Sequence, residues 1–231
     1  MKKMSFLKGA FLAGVASAAL LTVPAANAGT LIINSISGQG VTINYNGASS
    51  GTTAGTFSGT FDGNPLIWWC VDLAKHVTVP GGPYTDYTKA VFQSSPLTFS
   101  AARVLDLDRL FTNDLGVALT NAQYSAAFQL AIWDVLFDND HNLSTYGGAG
   151  QFGVSSAGAG TIALAQSFID NLGTDTPVFA LSQLTSPGHQ DFITPGSPNI
   201  VPEPSGLALL GVGLMAMVAG MRRRKSGAQL G

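Results

Sequence analysis

Cys70 is the chain's one cysteine, and it stands in Trp68-Trp69-Cys70-Val71-Asp72-Leu73, the most apolar stretch of the interior. A single thiol has no disulfide partner within the chain. Its residue type therefore points either to a nucleophile or to a small buried hydrophobe. Fifty-nine positions later, Phe128-Gln129-Leu130-Ala131-Ile132-Trp133 places a neutral carboxamide on a segment of helical spacing that otherwise faces a core, four residues from Trp133 on the same face. A buried glutamine must find hydrogen-bond partners. All three tryptophans of the chain fall in these two stretches.

Taken jointly, Trp69-Cys70-Val71 and Phe128-Gln129 with Ile132-Trp133 resemble the two halves of a bacterial thioester domain, an aromatic-Cys-apolar motif and an apolar-Gln-x-x-apolar-Trp motif. The resemblance implies that the Cys70 thiol attacks the side-chain carbonyl of Gln129, that ammonia leaves, and that an internal thioester remains. It also implies a dry surround supplied by Trp68, Trp69, Phe128, Ile132 and Trp133, because a thioester is an acyl donor that hydrolyses in water. An amine or hydroxyl of a surface or matrix partner then displaces Cys70 and leaves Gln129 joined to the target. Such attachment happens once per molecule without turnover, so it is not enzyme catalysis, and it uses no cofactor. The plainer alternative keeps Cys70 as a buried hydrophobe, Gln129 as a satisfied core amide and the tryptophans as packing. On that alternative the chain is a non-covalent matrix or polysaccharide-binding module.

Other residue patterns carry weaker chemistry. Asp138, Asp140 and Asn142 have the one-three-five spacing of a calcium loop. Leu143 stands where that loop needs glycine, however, and Ala149 where it needs glutamate, so a helix end with solvated acids is the better reading. His76, His141 and His189 share no ligand spacing, and no metal site is expected. Cys70 with His76 is the one nucleophile and base pair from which a secreted hydrolase would be built, and it lacks a glycine-rich elbow. Gly147-Gly148-Ala149-Gly150 lacks the strand-turn-helix setting of a phosphate loop.

The elements that must position these residues read as strands, then helices, then strands. Leu31-Ile32-Ile33 and Val41 to Tyr45 flank Ser37-Gly38-Gln39-Gly40, which reads as a hairpin turn. Residues 48–63 read as a polar loop entering a weak strand, and Leu66 to Leu73 as the buried strand that carries Cys70. Pro80-Gly81-Gly82-Pro83 reads as a turn before a strand at 84–92. Helices are expected over 100–111 and 121–137, the second capped by Thr120 or Asn121. A loop over 147–160 leads to a third helix at 161–172, ended by Gly173, with strands at 177–184 and 191–194. The pattern predicts one α+β domain over residues 29–198, β-rich at both ends with a central group of helices.

The two ends read as addresses. Lys2, Lys3 and Lys8, an apolar run to about Val23, and Ala26-Asn27-Ala28 form a secretory signal peptide over residues 1–28, with signal peptidase cutting after Ala28. At the other end Val201-Pro202-Glu203-Pro204 precedes sixteen uncharged residues, 206–221, and then Arg222-Arg223-Arg224-Lys225. A helix of that length rises about 24 Å, short of a roughly 30 Å hydrocarbon core, so it spans only if its arginines snorkel. The basic cluster predicts a cytoplasmic carboxyl end. Seven of the eleven basic residues lie within the first eight or last ten positions, so the stretch from Gly29 to Pro204 sets four against all thirteen acids, a balance of −9. With no basic surface to neutralise phosphates, nucleic acid is excluded as a partner.

Residues 199–225 resemble the PEP-CTERM sorting signal, a Pro-Glu-Pro motif followed by an apolar helix and an arginine cluster. The resemblance implies a Gram-negative bacterium in which exosortase processes a precursor held transiently in the inner membrane. The protein then reaches the cell surface or an extracellular matrix, in species that commonly make exopolysaccharide.

Overall fold

Two Asx-Gly pairs start the fold. Asn46 and Gly47 have φ of 49° and 81°, and Asp62 and Gly63 have φ of 52° and 77°. Positive φ at both central residues is what a two-residue type I′ hairpin requires, and Asn-Gly and Asp-Gly supply it at the lowest steric cost. These turns join β1 (Ala28–Tyr45) to β2 (Ala48–Phe61) and β2 to β3 (Asn64–Cys70). The computed structural model describes residues 28–92, 99–144 and 151–196.

The hairpin expected at Ser37–Gly40 is corrected, because β1 runs unbroken through those residues and pairs with β2 from Leu31↔Phe61 to Tyr45↔Ala48. Gly38 sits opposite Gly55, where an added Cβ on either residue would meet the backbone of the other strand. The glycines there serve close strand approach, not a turn. Over 48–63 the expected weak strand is present and the polar loop before it is corrected, because β2 already begins at Ala48. Its Thr, Ser and Gly residues are tolerated because β1 pairs it along its whole length.

After β3 come β4 (Gly81–Val91), α1 (Ala101–Ala118), α2 (Ala122–Phe137), β5 (Phe152–Ser156), α3 (Thr161–Asp170), β6 (Ser182–Thr185) and β7 (Phe192–Thr194). Among the described residues every strand pairing is antiparallel, in the order β2-β3-β7-β6-β4-β1-β5. Because β1 also pairs with β2, six of the seven strands close into a ring. The seventh, β5, lies on the far half of β1 through Tyr45↔Phe152 and Ile43↔Val154. It occupies part of the expected 147–160 loop, where buried Phe152 and Val154 give it a reason to pair. The expected 177–184 strand narrows to β6 at Ser182–Thr185.

Helix α2 is buried on all sides from Ser125 to Leu136, the condition of a helix enclosed by a core. Asn121 caps it, its side chain accepting from the backbone N–H groups of Gln123 and Tyr124. Helix α1 starts at the Ser100 cap and runs seven residues past the expected end. Thr112 Oγ1 donates to the Asp108 carbonyl at 2.8 Å, and Ala118 is still buried. Among the described residues the result is a sheet-rich body with three helices, in which the sheet ring and helix α2 enclose the Cys70 end of β3.

Among the described residues no helix is long and apolar enough to cross a membrane. The signal segment up to Asn27 and the sorting segment, including the helix expected over 206–221, lie outside the described residues. Ala28 is described, as the first residue of β1, paired with Thr88.

Candidate functional site

Strand β3 delivers Cys70, and its two ladders decide what surrounds it. Against β2, Trp68 faces Phe57. Against β7, Trp69 faces Ile193 and Cys70 faces Phe192. Alternation sends the neighbouring indoles to opposite faces of the strand. Trp69 stands edge-on to Phe111 and Phe128, at 5.3 and 5.2 Å between centroids, while Trp68 packs 5.9 Å from Phe192. Both indoles are fully buried, and Cys70 is 3% exposed. Ile132 is fully buried on α2, and Trp133 packs 6.2 Å from Phe152.

Gln129, fully buried on α2, reaches Cys70 across the 59 residues that separate them. Its Oε1 accepts from the Cys70 backbone N–H at 2.8 Å, and its Nε2 donates to the Cys70 carbonyl at 2.9 Å. The carboxamide thus pairs with the main chain of Cys70. A different glutamine meets the thiol: Gln190, in the connection just before β7, has its side-chain Nε2 against Cys70 Sγ. Sequence reading missed this residue. Its only signal was a glutamine two residues before the apolar pair Phe192-Ile193, and nothing in the sequence pairs β3 with β7.

Several contacts hold Gln190 there. Its Nε2 also donates to the Asp72 carbonyl at 2.9 Å, and its own carbonyl accepts from the Tyr87 hydroxyl at 2.6 Å. The Val71 N–H donates to the Asp191 carbonyl at 3.0 Å, and the Ser186 N–H to Asp191 Oδ1 at 2.9 Å. Lys75 Nζ sits 3.4 Å from Asp191 Oδ2 and 3.7 Å from Asp72 Oδ2, bridging the two segments that carry the cysteine and the glutamine. Burial first, and then the carboxylates of Asp191 and Asp86, push the Tyr87 hydroxyl well above its ordinary range, so it stays a donor.

Burial also pushes the Cys70 thiol well above its usual value. A hydrogen bond to the Asp72 carbonyl offsets this in part, and the charges of Asp72 and Asp191 add to it. A charge is costly in a desolvated site, so the resting group is the neutral thiol.

A pocket of about 340 Å³ opens onto this pair, lined among others by Thr52, Thr53, Phe57, His76, Trp133 and both Cys70 and Gln190. Thr53 and His76 are exposed while Cys70 and Gln190 are buried, so the pocket leads from solvent to the sulfur. Of the five aromatic and apolar residues expected around Cys70, Trp133 lines this pocket, Trp69 and Phe128 pack against each other, and Trp68 and Ile132 lie in the core.

The remaining candidates sit elsewhere. The Asp138, Asp140 and Asn142 side chains each accept from a backbone N–H one or two residues on, as turn-forming Asx residues do. Asp138 is buried, which departs from the solvated reading. Among the described residues no group of three or more His, Cys, Asp or Glu is placed to hold a metal. His141 Nδ1 lies 3.1 Å from Asp134 Oδ1, and this hydrogen bond holds the imidazole above its usual range. His189 packs 4.5 Å from Tyr84.

Residues 201–225 match the PEP-CTERM protein-sorting motif. That motif implies exosortase-dependent export to the cell surface or beyond. No curated protein matches the chain. Among solved structures it is similar to the N-terminal thioester domain of a surface protein from Clostridium perfringens. The TM-score is 0.40 at 15% identity, over 60% of this chain and 85% of that one.

Proposed function

We propose that this exported protein attaches covalently to a surface or matrix partner through an internal thioester, and that the acyl group comes from Gln190. The observation that carries this reading is the Gln190 carboxamide lying against the Cys70 sulfur at the buried end of a pocket open to solvent. Attack of Sγ on the Gln190 side-chain carbonyl forms the carbon–sulfur bond and releases ammonia. Neutral thiol and amide give neutral thioester and ammonia, so the burial that penalises a thiolate does not oppose the overall exchange. A nucleophile from the partner then breaks the carbon–sulfur bond, takes the acyl group and frees the Cys70 thiol. Each molecule reacts once, and no cofactor takes part.

Gln129 supports the reaction from behind. Holding both main-chain groups of Cys70, it fixes the strand end from which the thiol projects, and its own amide is engaged at both its oxygen and its nitrogen. A hydrolase built on Cys70 and His76 is disfavoured by the same electrostatics. A catalytic cysteine needs a depressed pKa and electropositive surroundings, whereas burial and two carboxylates drive this thiol the other way.

The intact mass of the purified exported protein tests the reading. It is expected to fall short of the sequence mass by one ammonia, and Cys70→Ala or Gln190→Ala should restore the full mass. After reaction with methylamine, peptide mapping should find the adduct on Gln190. An adduct on Gln129 returns the acyl role to that residue, and a full wild-type mass with a freely titrating Cys70 rules the thioester out.

A further inference from the structure

His76 shares the pocket wall with Cys70 and Gln190, and neither the fold nor thioester formation uses it. Among the described residues its ring makes no hydrogen bond or ion pair, and it is exposed at the outer end of the pocket. Among the described residues no carboxylate lines the pocket; its remaining walls are hydroxyl-bearing Thr52 and Thr53 and apolar side chains such as Phe57 and Val79. An entering alkylammonium therefore meets no counter-ion on the pocket wall, and the Asp72 and Asp191 carboxylates near Cys70 are already engaged by Lys75. A neutral hydroxyl needs no counter-ion.

The chemistry favours the same choice. A free amine attacks a thioester unaided, but an alcohol is a poor nucleophile until a base takes its proton as the bond forms. Imidazole is the side chain suited to taking and returning a proton near neutral pH. The departing sulfur also needs a proton, because burial disfavours the Cys70 thiolate.

Resting on the thioester reading above, we propose that His76 is the proton acceptor for an incoming hydroxyl, so that the partner is a hydroxyl-bearing molecule such as a carbohydrate and the link formed is an ester. In the step, the hydroxyl oxygen bonds to the Gln190 acyl carbon and the carbon–sulfur bond breaks. The hydroxyl proton passes to His76 and from there to Cys70 Sγ. The products are the Gln190 ester and a free thiol, with no other reactant consumed.

The test uses the mature exported protein with glycerol and methylamine as competing probes at neutral pH, read by intact mass. The wild type is expected to give a glycerol ester alongside the methylamide. In His76→Ala the ester-to-amide ratio should fall by about a hundredfold, within the usual range for loss of a general base. His76→Gln, which keeps bulk and polarity, should give the same fall. The one-ammonia deficit of each variant before reaction reports that the site has assembled, so whichever variant assembles decides the outcome. An unchanged ratio, or a wild type that yields only the amide, overturns the hydroxyl assignment while leaving the thioester standing. A wild type without the deficit overturns both together.

Discussion

Gln129 does for Cys70 what a neighbouring strand does elsewhere. The β2–β3 ladder ends at Phe57↔Trp68, so the main chain of Cys70 has no partner on the β2 side. The Gln129 carboxamide presents one acceptor and one donor, the complement of a backbone N–H and C=O, and takes that place. This much of the residue was legible in the sequence: a glutamine on a core-facing helix needs partners, and Cys70 proved to be one. Which part of Cys70 it meets was not legible, since the spacing of two motifs says nothing about where β2 leaves β3. Replacing Gln129 with leucine keeps the bulk but orphans two buried backbone groups, at about 1–3 kcal/mol each when unsatisfied. Gln129→Leu in the Cys70→Ala background, where no thioester contributes, is expected to lose about 2–4 kcal/mol in urea unfolding. A loss below about 1 kcal/mol would mean that water takes over both bonds.

At the scale of elements, local patterns located helices better than strands. The caps at Ser100 and Asn121 and the apolar spacing of α2 are written within a few residues of one another. The hairpins were written as locally, in Asn46-Gly47 and Asp62-Gly63, but the glycines of Ser37–Gly40 drew the turn to the wrong place. A glycine facing another glycine across a ladder looks, from one strand alone, like a turn. Helix α1 carries a further consequence. Burial raises the carboxyls of Asp108 and Asp114 to about 6 in each case, and among the described residues Asp114 Oδ2 has no hydrogen-bond partner. Their folded-state pKa lies above the unfolded value near 3.9, so the native state binds more protons between those values and stability falls as pH rises from about 4 to 6. Asp114→Asn removes one of these groups. It should raise stability at pH 7 by on the order of 1 kcal/mol, change it little at pH 4, and flatten the pH dependence of the urea midpoint between them. A variant whose midpoint drops at pH 7 would mean that the Asp114 carboxylate is stabilising there.

At the scale of the whole molecule, the sheet ring depends on pairings that no single-sequence pattern specifies: β1 with β4, and β3 with β7 across more than a hundred residues. Those same pairings put Gln190 beside Cys70, a neighbour that a reading confined to motifs had no means to find. The addresses are the reverse case, legible because each is contiguous, and residues 201–225 match a sorting motif outright. The described ladder is complete by Thr194, before that motif begins. Sorting and the chemistry of the site should therefore separate. Pro202→Ala with Glu203→Ala removes the proline and the acid of the matched motif while leaving the apolar run and the basic cluster, so the precursor should still be translocated but should accumulate at the inner membrane. Fractionation should find the protein in the inner-membrane fraction, whereas the wild type is found at the surface or in the medium. The retained precursor should nonetheless carry the one-ammonia deficit, because every residue that holds Cys70 against Gln190 lies upstream of the motif. Unchanged release would argue against exosortase sorting. A retained protein without the deficit would mean that the site assembles only after the tail is removed.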